Sequence, residues 1–540
     1  MPRDLDADLK MLDTVLRLAQ QRDIASAAAI AERELASGYE HPLLLNVLAT
    51  RHEESGRLED ALRLLERAVE LSPENVAARH ALALCLQRME RPREALIQID
   101  ELLRQQPNLA FGHVNKGNAL IAIGALAQAR ICHLRALELD PHNVGGMAAL
   151  ASIATHRGEH GDARNWANRT LARVPGYPDA VLSLAAAELA DGDAAAAEPM
   201  LRALIADTRA GETDKARAQG LLGDVLDFEG RHAEAFVAYG LCNAALERVH
   251  RRFAQSGVLP YANTLARALV DVQVGWTQRP VGLPKPGGAR RHVFLMGFPR
   301  SGTTLLEVVL DGHPDVVSLE EHELLTEGVL RYLREPVDLV ALQDATDAEL
   351  EPLREVYWRQ VAGAGVDVEG RVFIDKHPLN SLKLPLIARL FPDAQILFAY
   401  RDPRDVVLSC FRRRFKMNPA MYQMLTLDGA ARFYAAVMSF ADTARPILGL
   451  AWRDVRYEAV MADFDGEIRS LCEYLGLTWS QSMGSFAHRV QSREHSTPST
   501  AQLARGLDRS GVGQWRSYAM RLAPVQPMLQ PWIDRLGASW

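Results

Sequence analysis

Alanine returns every 34 residues through the first part of this 540-residue sequence, at Ala27, Ala61, Ala95, Ala129, Ala163 and Ala197. Proline keeps the same period at Pro73, Pro107, Pro141 and Pro175. Twelve residues ahead of the alanine row stand the small residues Ala49, Ala83, Gly117, Ala151 and Ala185. Glycine recurs at Gly56, Gly124, Gly158 and Gly192, with Glu90 where one is missing. At a proline frequency near 5%, three further prolines in phase have a chance probability of roughly one in ten thousand. A fixed period of this length demands a stack of like units. Small residues let two antiparallel helices approach closely, glycine closes the turn between them, and proline ends the second helix and opens the next unit.

This spacing resembles the tetratricopeptide repeat over about residues 8 to 178. Residues 179 to 245 continue it less regularly, with Gly223, Gly230 and Ala235 as one more unit displaced by an insertion near GETDKAR. Such arrays form superhelices whose concave face binds a peptide or protein. Rigidifying the chain or pairing two copies as a homodimer is the other use.

The length is too great for one hydrophobic core. Hydrophobic residues make up 48% and charged residues 24%, an ordinary globular balance. The net charge of −7 argues against nucleic acid or a membrane surface as the main partner. Cys85, Cys132, Cys242, Cys410 and Cys472 show no paired spacing, so neither a disulfide framework nor a zinc site is expected, and a reducing compartment is. The segment MPRDLDADLK has acids where a signal peptide needs an apolar stretch, and no apolar run approaches the roughly 20 residues needed to span a bilayer. A cytoplasmic protein is the expectation.

Residues 246 to 273 read as helical, and TQRPVGLPKPGGARR (277 to 291) is the best boundary in the chain. Beyond it come short β-rich runs: HVFLMGF (292 to 298), VVSL (316 to 319), VFIDK (372 to 376), AQILFAYR (394 to 401) and AWRDVRYE (451 to 458). Strands alternating with helices imply a parallel sheet covered on both faces. The expected organisation is an all-α repeat array over 1–245, a connecting helix and linker over 246–290, and an α/β domain over 291–540.

The segment Gly297-Phe298-Pro299-Arg300-Ser301-Gly302-Thr303-Thr304 joins a strand to a helix. Small residues there let backbone amides converge, and the helix start adds unpaired N–H groups and a positive dipole end. Hydroxyls of Ser301, Thr303 and Thr304 are further donors, so the segment is built to hold an anion. Thr303 stands where a nucleotide-triphosphatase loop has lysine, which disfavours a nucleotide kinase; the cation is Arg300 instead.

The loop resembles the 5′-phosphosulfate-binding motif of the P-loop sulfotransferase family, and the tyrosylprotein sulfotransferase branch most of all, over roughly residues 290 to 520. In FAYRDPRDVVLSCFRRRF, the resemblance gives Arg401, Ser409 and Arg413 the donor's 3′-phosphate, with Ser409 and Arg413 four apart on one helical face. The other reading of this segment is an ordinary basic helix, with RDPRD as solvated surface. In LDGHPDVVSLEEHELL the resemblance makes Glu321 the general base; Glu320, His322 and Glu323 stand beside it as further candidates. In IDKHPLNSLKLP, Lys376 corresponds to a lysine that contacts the transferred group, although Asp375 and His377 depart from the family pattern. Ser499 matches a serine assisting the same transition state, Tyr457 a residue touching the donor nucleotide, and Arg509, Ser510 and Gly511 a loop over the 3′-phosphate and adenine.

The resemblance implies transfer of a sulfuryl group from 3′-phosphoadenosine 5′-phosphosulfate (PAPS) to a hydroxyl, without a metal, leaving adenosine 3′,5′-bisphosphate (PAP). Arg300, Lys376 and Ser499 would stabilise the departing oxyanion. The tyrosine branch and the repeat array together favour a tyrosine of a peptide or protein as acceptor. A small-molecule or glycan hydroxyl is the alternative within the class, and a non-catalytic repeat scaffold with a nucleotide-binding domain the alternative outside it.

Overall fold

The computed structural model describes residues 5–255, 257–272, 276, 288–334, 337–487 and 506–537. The chain forms two compact units, Met1–Ala190 and Asp191–Trp540.

The first unit is a run of helices from Leu5–Gln20 to Pro178–Ala190. Ala27, Ala61, Ala95, Ala129 and Ala163 are all completely buried, because a methyl group is the largest side chain the close helix contact admits. Gly56, Gly124 and Gly158 take left-handed φ values of 74°, 85° and 70°. Glu90 occupies the equivalent turn at φ 59°, so the turn is kept at the cost of a strained residue. Gly117 has a separate reason to lack a side chain: a Cβ there would lie 2.4 Å from Nε2 of His133. His133 is fully enclosed, neither ring nitrogen makes a hydrogen bond, and burial pulls its pKa down to about 4.

The second unit opens with the helices Ala194–Ala206, Glu212–Phe228 and His232–Val249. They carry the repeat onward, with Ala197 and Ala235 fully buried and Gly192 and Gly230 at φ 86° and 75°. All five predicted apolar runs are strands: β1 (Arg291–Gly297), β2 (Val316–Glu320), β3 (Val372–Lys376), β4 (Gln395–Tyr400) and β5 (Ala451–Arg456). They form one parallel sheet in the order β2-β3-β1-β4-β5. Alternate residues feed two cores: Phe294 and Met296 of β1 join one cluster, Val293 and Leu295 the other. Burial on both faces explains why these strands read as continuous apolar runs.

The connection leaving β1 runs through the helix Thr303–Leu310 to edge strand β2, whereas β4 leads the other way to β5. The carboxyl ends of β1 and β4 therefore flank a topological switch point, where open α/β sheets hold ligands. Among the described residues, no helix is long and apolar enough to cross a membrane.

Candidate active site

Strand register alone gathers the chemistry. Glu320 pairs with Lys376 across β2 and β3, Leu295 with Lys376 across β1 and β3, and Gly297 with Ala399 across β1 and β4. Arg300, Glu321, Lys376, Arg401 and Tyr457 thus each lie at or just past the carboxyl end of a different strand.

Two cavities open on this edge. One is lined by Arg300, Gly302, Thr303, Thr304, Arg401, Ser409, Arg413, Tyr457 and Gly511, together with Met461, Leu507, Asp508 and Gln514. Arg300 sits at φ 72°, one of two strained non-glycine residues on this edge, and its Nε donates to Ser409 Oγ at 3.0 Å. Burial, reinforced by Arg413 and Arg401, pulls the Arg300 pKa down to about 9. Three cations, Arg401 buried and Arg300 and Arg413 half-buried, make a cavity that an anion would relieve. Arg401 Nη1 donates to the Arg300 carbonyl at 3.0 Å, its Nη2 donates to the Gly511 carbonyl, and its guanidinium lies 4.8 Å from the Tyr457 ring centroid. Gly302, at φ 97°, is fixed by this packing, since a Cβ would fall 2.6 Å from Tyr457 Cδ2.

The second cavity, of about 780 Å³, shares Arg300, Thr303 and Thr304 with the first. That volume is within the range of small-ligand pockets, roughly 300–1,000 Å³. Its walls are largely apolar, from Val258, Tyr261, Leu333, Leu379, Phe415 and Met421, and Glu321, Glu323, His377 and Lys383 also line it. Glu323, although exposed, is drawn below the carboxylate range, to about 2, by its hydrogen bond to His377 first and by Lys383 next. A carboxyl so low is a poor proton acceptor. Glu321 is the other strained residue, at φ 48°, and its N–H donates to the Lys376 carbonyl at 2.7 Å.

Lys376 lines neither cavity. It is completely buried, with Nζ 2.9 Å from Glu321, 3.0 Å from Glu320 and 3.4 Å from Glu307. Burial lowers the ammonium pKa, but the three carboxylates outweigh it and raise it overall. Burial pushes Glu307 up to about 7 against the pull of Lys376, and Ser318 Oγ donates to its other oxygen at 3.0 Å. Glu307 escaped the sequence reading, although a lone acid in the apolar helix TTLLEVVL is a signal of its own. Asp375, on the opposite face of β3, accepts from Tyr357 at 2.9 Å and from Asn380 at 3.2 Å, which makes it a framework residue.

Other expectations need correction. Arg413 is not on the helix with Ser409: the helix ends at Arg412, and Arg413 is extended at φ −96°, ψ 140°. Both still line the first cavity. RDPRD is not solvated. Asp402 caps its helix and pairs with Arg404, Arg404 stacks 3.7 Å from the Trp515 ring centroid, and Asp405 accepts from the N–H groups of Gly513 and Trp515 at 2.7 and 2.8 Å. Asp405 thus pins the 513–515 backbone, and the Gly511 carbonyl beside it accepts from Arg401. Of the predicted Arg509, Ser510 and Gly511, only Gly511 lines the cavity; Arg509 and Ser510 are exposed, with Ser510 bonded to Asp508. Ser301 is buried but lines neither cavity. Ser499 lies outside the described residues.

Comparison with known proteins places this edge in a recognised domain. Residues 292–481 match the model of the sulfotransferase family. Residues 12–76, 53–111 and 114–178 match models of the tetratricopeptide repeat. An uncharacterised protein of Aquifex aeolicus is 26% identical over 46% of this chain and 33% of its own length. Protein-tyrosine sulfotransferase 2 of Gallus gallus is 24% identical over 44% of this chain and 67% of its own. Protein-tyrosine sulfotransferase 1 of Mus musculus is 31% identical over 23% of this chain and 34% of its own. The chain thus spans only a third of the A. aeolicus protein and of the mouse protein.

Proposed function

Because this chain carries a sulfotransferase-family domain behind tetratricopeptide repeats, we propose that it moves a sulfuryl group from PAPS to the hydroxyl of a tyrosine in a peptide or protein. The observation that carries the reading is the pair of cavities meeting at Arg300, Thr303 and Thr304, cationic on one side and carboxylate-bearing on the other.

In this reading the 5′-phosphosulfate lies on the loop from Arg300 to Thr304, including the amides of Ser301 and Gly302. Arg401, Ser409 and Arg413 hold the 3′-phosphate. Tyr457 and the segment carrying Arg509, Ser510 and Gly511 border the nucleotide. The acceptor enters the apolar cavity with its hydroxyl beside Glu321. Its oxygen attacks sulfur in line, its proton passes to Glu321, and the bond from sulfur to the 5′-phosphate oxygen breaks to release PAP. Arg300, Lys376 and Ser499 offset the charge on the departing oxygen. Proton uptake by Glu321 discharges one of the three ion pairs that enclose Lys376, so that only Glu320 and Glu307 still offset the ammonium and more of its charge acts on that oxygen. Positioning and preorganised charge supply most of the rate.

The tyrosine acceptor is supported by the names of the Gallus gallus and Mus musculus relatives and by the aromatic-sized apolar cavity. The repeat array is the surface on which a peptide would bind, as such arrays commonly do. The test is incubation of the full chain with labelled PAPS and a tyrosine peptide library, followed by mass spectrometry. A sulfated tyrosine supports the proposal; label only in small hydroxyl compounds would replace the acceptor, and no transfer to any acceptor would overturn the enzyme reading.

A further inference from the structure

The sequence places three arginines in a row, Arg412, Arg413 and Arg414, where the helix Pro403–Arg412 ends. In a continuing helix they would fan out about 100° apart. The backbone at Arg413 is instead extended, so the side chains alternate: the outer two face one way and the middle one the other. Arg413 lines the cationic cavity. Its neighbours turn to the helix Glu212–Phe228, where Arg412 pairs with Asp227 and Arg414 Nη2 lies 2.9 Å from Asp224 Oδ2.

The helix pair Glu212–Phe228 and His232–Val249 is shaped to receive them. Gly220 leaves room for Arg414, since a Cβ there would sit 2.5 Å from Nη1. Gly223 does the same for Tyr239, whose hydroxyl donates to Asp224 at 2.9 Å and whose ring lies 5.3 Å from the Arg412 guanidinium. Asn243 donates to the Phe411 carbonyl at 2.9 Å, and Phe236 stacks on Phe411 at 5.0 Å. The same pair also holds the segment that follows Gln514, a lining residue: Tyr518 donates to Asp227, and Arg412, itself paired with Asp227, reaches Gln514 through Nη1 at 3.4 Å. Asp227 is therefore shared by both flanks.

We infer that Asp224 and Asp227, on the repeat-like helices, are positioning residues for the donor site: they hold Arg412 and Arg414 so that Arg413 points at the phosphate on the nucleotide's 3′ side. The inference rests on the proposed donor reading. It makes the last helical pair a structural part of the donor site rather than an appended binding module.

The test uses the full chain and two probes in calorimetry, PAP and adenosine 5′-monophosphate, which lacks the 3′-phosphate. In the double variant Asp224→Asn, Asp227→Asn the PAP affinity falls by about tenfold, the scale of one charge-assisted phosphate contact, while the monophosphate affinity is unchanged. Asp224→Arg alone also lowers PAP affinity, and adding Arg414→Asp, which restores an ion pair of reversed sense at that place, recovers part of that loss; no recovery overturns the inference. Removing two carboxylates also makes the cavity more positive, which by itself would tighten an anion. Unchanged or tighter PAP binding therefore overturns the inference, and so does equal loss of both probes, which would mark a merely structural role. A wild-type chain that prefers PAP no better than the monophosphate would sink the donor reading itself.

Discussion

Replacing Glu307 by Gln tests the carboxylate cluster around Lys376. In the folded chain burial lifts this carboxyl from 4.5 to about 7. Between those values the folded state holds a proton that the unfolded chain has released, so wild-type stability declines as pH rises through that window. At about 1.4 kcal/mol for each pH unit of displacement, the decline attributable to Glu307 is on the order of 3 kcal/mol by pH 8. Glutamine carries no proton to lose and can still accept the Ser318 hydroxyl, and Lys376 keeps Glu320 and Glu321 as partners. The variant should match wild type near pH 4.5, exceed it progressively as pH rises toward 7, and keep that margin above it. Hydrogen exchange of the β3 amides in urea reads the opening free energy of this unit directly. A difference between variant and wild type that stays constant from pH 5 to 8 would refute the reasoning, because it would mean that Glu307 is already ionised at pH 5.

Three further outcomes follow from the packing. Gly117→Ala forces a methyl group onto His133 and should cost the first unit about 1–3 kcal/mol, much of it recovered in Gly117→Ala, His133→Ala, read from urea midpoints. His133, held near 4, is protonated first in the unfolded chain, so its contribution is lost as pH falls from 6.5 toward 4, and His133→Ala should flatten that limb of the acid titration. Gly302→Ala drives a side chain into the Tyr457 ring from a left-handed backbone and should abolish PAP binding in calorimetry; wild-type affinity would contradict the shape of the cavity.

The repeat rows and the sheet were legible because both depend on short-range pattern. Alanine at a helix crossing and apolar runs in a buried parallel sheet are imposed by geometry that recurs along the chain. Glu90 was legible as a missing glycine, and the structure shows that the turn persists without it. The strand-end residues were found by motif, and sheet register then explains why residues as distant as Arg300 and Tyr457 share one cavity. What the sequence hid was long-range. Nothing near Arg413 announces that its two neighbours would pair with Asp227 and Asp224, about 190 residues earlier. The second acid of RDPRD, Asp405, looks solvated until the 513–515 backbone supplies the N–H groups it accepts from. The enclosure of Lys376 needed three acids from two different elements, and only two of those acids lie in a recognisable motif.

The central claim is that donor and acceptor sites meet at the loop from Arg300 to Thr304, with Glu321 as the proton acceptor between them. Glu321→Ala separates binding from chemistry most directly, measured by PAP calorimetry and by sulfuryl transfer to a tyrosine peptide on the same preparation. The account predicts unchanged PAP affinity and transfer lowered by about 10²–10⁴-fold, the scale of general-base catalysis. Transfer at the wild-type rate, or loss of PAP binding together with transfer, would contradict it.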